Sequence, residues 1–150
     1  MRLLLSSAEM ARIRAYLFRD TGERMILALC RKAGLTAYRA EEWFYPREED
    51  YARRNEATVT LRAEAGYPLI KKLRAGTKLS FLQIHSHPHG YPARFSSVDN
   101  VNNGFNTGDV REWNPRTRFF RMVLSGEEYA AESFNYRAGR FEELKIVVTG

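Results

Sequence analysis

The three histidines of this 150-residue chain all lie within five positions, directly after a short apolar run. The run at 81–84 predicts a buried β-strand, and Pro88 ends it because proline cannot donate a ladder hydrogen bond. Side chains at i and i+2 project from the same face of a strand, so His85 and His87 are expected to face one point in space. The sequence therefore predicts a strand inside a packed sheet that carries two imidazoles at its end.

A carboxylate follows this pair within one loop and one turn. The sequence pattern at 89–95 predicts a loop. Ser96 or Ser97 is a suitable N-cap for a helix beginning near Val98. Asp99 then lies in the first helical turn, where the helix dipole favours an anion. Two imidazoles and a carboxylate are the ligand set of a catalytic zinc with one open position. His89 is expected to be a loop residue, and Asp109, further along the chain, is the less favoured alternative to Asp99.

A hydrolytic zinc site also needs a base, because zinc lowers the pKa of a bound water to about 7 but something must take the proton. Glu23 precedes the apolar run at 25–29 and is the favoured candidate. Glu41, Glu42 and Glu64 are weaker candidates, since their neighbours predict loop or helix surface. The Ser96 hydroxyl is a candidate donor to the oxyanion of a tetrahedral intermediate.

The order of these residues resembles the JAMM motif of the JAB/MPN metallopeptidases, which is a glutamate, then H-x-H-P, then S-x-x-D. Glu23 matches the glutamate, the segment 85–88 reads His-Ser-His-Pro, and the segment 96–99 reads Ser-Ser-Val-Asp. The chain is similar in particular to small bacterial JAB proteins found beside ubiquitin-like conjugation or ThiF-type activating enzymes. The resemblance implies one zinc ion held by His85, His87 and Asp99, with Glu23 as general base and acid and Ser96 as oxyanion support. It also implies an α+β, cytidine-deaminase-like fold with a mixed, curved sheet flanked by helices.

The function implied by the resemblance is that of a zinc isopeptidase, similar to a deubiquitinase, that cleaves after the C-terminal glycine of a ubiquitin-like protein. Its partners would be that protein or its conjugate, together with the cognate activating or conjugating enzymes. Residues 43–60 are expected to supply a sheet edge for the extended tail. Two alternatives stay open: a zinc hydrolase of a small peptide or sulfur-carrier conjugate, and a non-catalytic scaffold that binds a modifier.

Composition agrees with one domain over residues 1–150, because 44% hydrophobic residues suffice for a core at this length. Cys30 is the single cysteine, so no internal disulfide forms, and we expect a buried thiol in the reducing cytoplasm. No apolar run approaches the length of a membrane span. The net charge of +6 comes from scattered basic residues, which favours a solvated surface that steers an acidic partner over nucleic-acid binding.

Local patterns predict the order of the elements. Helices are expected over 6–19, starting at a capping sequence, and within 63–74, starting near Pro68. Strands are expected at 25–31, within 35–45, at 57–61, at 78–87 and at 141–148, with a hairpin formed by 119–124 and 129–136. Residues 46–50 and 104–118 are expected to be surface loops.

Overall fold

This computed structural model describes residues 1–76, 78–95 and 107–150. The described residues contain ten strands and three α-helices. The helices are α1 Ser7–Leu17, α2 Tyr67–Ala75 and α3 Thr107–Trp113, and a 3-10 turn covers Glu48–Asp50. The strands are β1 Arg2–Ser6, β2 Met25–Lys32, β3 Ala37–Phe44, β4 Tyr51–Arg54, β5 Val59–Leu61, β6 Leu79–Ser86, β7 Phe119–Ser125, β8 Glu128–Asn135, β9 Arg140–Glu143 and β10 Lys145–Thr149.

Eight of these strands form one mixed sheet in the order β10-β1-β3-β2-β6-β7-β8-β9. Its two edge strands, β9 and β10, follow each other in the chain with Leu144 alone between them. The backbone N–H of Leu144 donates to the carbonyl of Ala131 at 3.0 Å, and that of Lys145 donates to the carbonyl of Met1 at 3.2 Å. The sheet therefore curls until its edges nearly meet, which leaves few strand edges open to water.

The α+β fold of JAB/MPN type expected from the sequence is wrong. Strands account for 43% of the structure and helices for 22%, and the main sheet is a nearly closed, barrel-like sheet. The expectation missed β1 and β4 and treated residues 141–148 as one segment, although they form two strands on opposite edges. Closure depends on pairings such as Arg2 with Lys145, which join the two ends of the chain and leave no local pattern in the sequence.

The local signals that were clear in the sequence produce the expected elements. The Ser6 hydroxyl accepts the N–H of Glu9 at 3.0 Å, and the Glu9 carboxylate accepts the N–H of Ser6 at 2.8 Å, so a capping box starts α1. Pro68 lies in the first turn of α2. Gly126 adopts φ 57° in the two-residue loop between β7 and β8, a conformation that favours glycine. The loop expected at 104–118 is wrong over α3, where Val110 is buried.

Two hydrophobic clusters lie on opposite faces of the main sheet, because successive side chains of a strand alternate between its faces. One cluster joins Ile26, Leu82 and Phe120 to the buried face of α1. The other joins Met25 and Phe81 to α2, α3 and the small sheet formed by β4 and β5. His85 lies on the second face, because it pairs with Met25 of the second cluster. Its neighbour Ile84 belongs to the first cluster, on the opposite face.

Within the described ranges, no helix is long and apolar enough to cross a membrane.

Candidate metal and catalytic site

The histidine pair lies where β6 ends between β2 and β7. His85 pairs with Met25 on one side and with Val123 on the other, and its side chain is 1% exposed. His87 follows the strand but stays aligned with β7, since its backbone N–H donates to the Leu124 carbonyl at 2.8 Å. Its side chain is partly exposed. One imidazole is thus fixed in the core and the other lies at the surface above it.

The two rings face each other through their Nε2 atoms, which lie 3.3 Å apart. The ring centroids are 5.1 Å apart and the rings are inclined by 64°. Two nitrogen ligands at about 2.0–2.1 Å from one tetrahedral zinc lie about 3.3–3.4 Å from each other. The separation therefore fits two ligands of one zinc ion, and in metal-free protein it also permits an N–H···N hydrogen bond.

The tautomer of His87 follows from its second ring nitrogen. Nδ1 lies 2.9 Å from the Pro92 carbonyl oxygen, which can only accept a hydrogen bond. Nδ1 therefore carries the proton in the neutral ring, and the lone pair of Nε2 faces His85. A backbone carbonyl behind the ring is a common way to orient a metal-ligating histidine. The two imidazoles fit two of the ligand positions of a tetrahedral zinc ion.

Glu23 lies two residues before β2, at the end of that strand which pairs with His85. Arg24 donates its backbone N–H to the Ser86 hydroxyl at 2.9 Å and accepts the Ser86 N–H at its carbonyl at 3.1 Å. Glu23 directly precedes Arg24 and lies two residues before Met25, which pairs with His85. Glu23 is 5% exposed, and its backbone N–H donates to the Asn55 carbonyl at 2.8 Å.

An ion-pair network around the buried Arg24 side chain anchors the segment before β2. Arg24 is 2% exposed, and its guanidinium donates to Asp20 at 2.9 Å and to Glu48 at 2.6 Å. Arg54 donates to the same two carboxylates at 2.7 and 3.1 Å. Hydrogen bonds from Arg54, and then from Arg24, lower the pKa of Asp20 to about 2. Arg24 likewise lowers the pKa of Glu48. The network fixes the backbone on both sides of Glu23.

Ser125 anchors the loop that carries Pro92. Its hydroxyl contacts the carbonyls of Tyr91 and Pro88, the latter at 3.3 Å, and the side chain is buried. From the sequence, Ser125 is expected only in the hairpin turn, and its contact with the loop is not predicted. The one local feature that could have drawn attention to Ser125 is its position directly before Gly126.

Phe95 holds the other end of the same loop. Its ring centroid lies 5.9 Å from that of His85. The guanidinium carbon of Arg121 lies 3.9 Å from the Phe95 centroid and 3.5 Å from that of Phe141. Arg121 is 8% exposed and bonds the Glu132 carboxylate at 2.6 Å. A buried arginine on β7 thus packs the last described residue of the loop against the histidine pair; nothing in the local sequence singled it out.

The remaining predicted residues divide into three groups. Asp99 and Ser96, the third ligand and the oxyanion donor, lie outside the described residues. Asp109 lies in the first turn of α3. The alternative bases lie away from the pair: Glu41 and Glu42 are in β3, bonded to Arg31 and Lys72, and Glu64 is exposed.

His89 is exposed in the loop, as expected. Across residues 1–76, 78–95 and 107–150, no group of three or more His, Cys, Asp or Glu side chains is arranged to hold a metal ion. The third ligand of the predicted set, Asp99, falls outside those ranges.

Comparison with known proteins gives a structural relative. No protein-family model and no curated protein matches this chain. The solution structure of protein DSY2949 from Desulfitobacterium hafniense, a structural genomics target, is similar with a TM-score of 0.62. The two sequences are 18% identical, and the match covers 98% of this chain and 92% of that one. At this identity the likeness concerns the fold alone.

Proposed function

We propose that this protein is a zinc hydrolase whose metal is held by His85, His87 and Asp99. The observation that carries the proposal is the 3.3 Å separation of the two Nε2 atoms, with the proton of His87 directed to Pro92. That geometry directs the Nε2 lone pair of His87 to the point that a metal shared with His85 Nε2 would occupy. The proposal follows the likeness of the motif to JAMM metallopeptidases and rests on the local site, not on the fold.

Each side chain has a distinct part in the chemistry. Bound zinc would supply a water with a pKa of about 7 and polarise a carbonyl. Glu23 would accept the proton of the attacking water and return it to the departing amine, as general base and then general acid. The Ser96 hydroxyl would donate a hydrogen bond to the developing oxyanion. The Pro92 carbonyl would hold the His87 ring in its ligating tautomer.

The substrate we propose is a ubiquitin-like protein or its conjugate, cleaved after its C-terminal glycine. An extended tail can pair with a sheet edge through main-chain hydrogen bonds. The small sheet of β4 and β5 is a suitable edge, because Asn55 follows β4 and bonds Glu23 directly. Arg53, exposed on β4, would favour an acidic partner. The buried thiol of Cys30 supports a reducing compartment, and we propose the cytoplasm.

Zinc content measured beside a matched histidine variant tests the metal site. Wild type, His87→Ala, Asp99→Ala and His89→Ala are purified, loaded with zinc at neutral pH, dialysed and analysed for metal. About one zinc per chain is expected in wild type and in His89→Ala, and a loss in His87→Ala and Asp99→Ala. Wild type that takes up no zinc, or His87→Ala that keeps it, would overturn the assignment.

Cleavage assays then test the substrate. A panel of ubiquitin-like proteins, each fused through its C-terminal glycine to a reporter, is incubated with zinc-loaded protein, and a short glycine-containing peptide is run in parallel. Turnover of a folded fusion with little turnover of the peptide is the expected result. Preferential turnover of the peptide would favour a small-molecule hydrolase. Tight binding without turnover would favour a scaffold.

A further inference from the structure

A second concave site lies at the opposite end of β2 and β6 from the histidine pair. It is a groove of about 630 Å³ bounded by the end of β2, the start of β6 and the segment before β7. β2 runs from Met25 beside His85 to Arg31 beside Leu79, a distance of about 20 Å at 3.4 Å per residue. The groove is therefore separate from the proposed zinc site.

Among the residues that the structure describes, five cationic side chains surround this groove and no carboxylate lines it. They come from three strand ends and are all exposed: Arg31, Lys32, Lys78, Arg116 and Arg118. In the part of the chain that the structure describes, one of the five, Arg31, forms an ion pair, with Glu41 at 2.9 Å. The other four have no ion-pair partner among the described residues, so they repel one another and create a positive potential that a concave surface concentrates.

Backbone hydrogen bonds and strand pairing hold the residues that carry these cations close together, whatever rotamers their side chains adopt. Arg31 pairs with Leu79 across β2 and β6. The N–H of Phe81 donates to the Arg118 carbonyl at 2.9 Å, and the Thr117 hydroxyl donates to the Leu79 carbonyl at 2.9 Å. These bonds hold the three strand ends side by side around the groove.

We propose that this groove binds a compact phosphate polyanion, namely a triphosphate chain, either free or carried by a nucleotide. Its volume lies in the range of small-molecule sites. Arginine forks bind phosphate oxygens in pairs, and lysine adds point charge. A nucleic-acid strand is disfavoured, because strand binding uses exposed aromatic platforms. Tyr38, the aromatic residue of the groove, is 6% exposed and packed against Phe120 with centroids 5.1 Å apart.

Calorimetric titration tests this proposal with sodium tripolyphosphate, ATP and a 12-nucleotide single strand as probes. Saturable binding of tripolyphosphate that weakens with added salt is expected. Similar affinity for ATP assigns the phosphate chain as the ligand, whereas clearly tighter ATP binding assigns a nucleotide, and both support the site. No saturable binding of either compound, or tighter binding of the strand, overturns it.

Charge-matched variants locate the binding. Lys32→Ala with Lys78→Ala, and separately Arg116→Ala with Arg118→Ala, are expected to raise the Kd at least tenfold. The first pair is the cleaner probe, since Arg116 and Arg118 also line a neighbouring groove. Lys71→Ala with Arg74→Ala removes the same charge from the exposed face of α2 and should change the Kd less than twofold. Equal weakening by this control pair would overturn the proposal.

The thermal unfolding of each double variant is measured first, to show that the variant is folded. Because there are two groove variants, the test can still be made if one of them does not fold. A His85→Ala, His87→Ala background separates this site from the proposed zinc site, because phosphate chains also bind metal ions. Binding unchanged in that background supports the groove. Binding lost there, with the groove intact, would overturn it and leave the zinc proposal standing.

Discussion

Arg24 and Ser86 exchange two hydrogen bonds where β2 begins and β6 ends. The Arg24 N–H donates to the Ser86 hydroxyl at 2.9 Å, and the Ser86 N–H donates to the Arg24 carbonyl at 3.1 Å. Both residues are about 2% exposed. This exchange holds Ser86, which lies between the two histidines, against the residue that follows Glu23. The catalytic proposal therefore depends on a residue that the H-x-H-P pattern leaves unspecified.

Replacing Ser86 by alanine removes the hydroxyl that accepts the Arg24 N–H. A buried donor left without its partner costs about 1–3 kcal/mol, and we expect the free energy of unfolding to fall by that amount. Denaturant unfolding measures the change. Ser7→Ala, which removes an exposed hydroxyl, serves as the control and should stay within about 0.5 kcal/mol. Equal stability of the two variants would contradict the structural role of Ser86.

Replacing Glu23 by glutamine keeps the shape of the side chain but removes its basicity. If Glu23 is the base, turnover should fall by about 10²–10⁴-fold while the zinc content stays at the wild-type level. Metal analysis and the fusion-cleavage assay are run on the same preparation. Glu64→Gln, at an exposed position, should retain full activity. Activity that survives in Glu23→Gln would assign the base to another residue.

Acid should destabilise the protein partly through Asp20. Its pKa is lowered from 3.8 to about 2 by Arg54 and Arg24 in the folded state. A carboxyl whose folded pKa is depressed contributes stability above its unfolded pKa and loses it as the pH falls. The free energy of unfolding should therefore decline between about pH 4 and pH 2. Denaturation at a series of pH values should show a shallower decline for Asp20→Asn, and an identical slope would remove Asp20 from the account.

Cys30 should not react with thiol reagents in the folded protein. It is fully buried, and burial raises the pKa of its thiol, so little thiolate is available. A disulfide-exchange reagent at pH 8 should label no thiol in native protein and one per chain in denaturant. Rapid labelling of the native protein would show that β2 opens and exposes the thiol, contrary to this prediction.

Elements whose signal is local could be predicted from the sequence. The capping box at Ser6 and Glu9, the glycine turn at Gly126 and the buried strand before His85 all depend on residues within a few positions of each other. The convergence of His85 and His87 belongs to the same group, because alternation along one strand brings them to one face. The prediction of Cys30 as a buried thiol is confirmed for the same reason, since it lies in a continuous apolar run.

Features that depend on distant pairings could not be predicted. Leu144 joins two edge strands where the sequence predicts one segment, and the fold class implied by the motif is wrong because the main sheet nearly closes. Arg24, Arg121 and Ser125 support the site from outside β6, and none belongs to a local pattern. Arg24 bonds Ser86 and Ser125 bonds Tyr91, at separations of 62 and 34 positions in the chain.

The sequence by itself determined the chemical groups of the candidate site and the strand that carries two of them, because residue type and strand alternation are local properties. The tertiary structure decided that the residue after Glu23 bonds Ser86, between the two histidines, and that five cations meet in a groove at the other end of the same strands. It also decided that the sheet nearly closes. Each of these depends on which strands pair and in what register, and that choice is made by the burial of apolar faces over the whole chain.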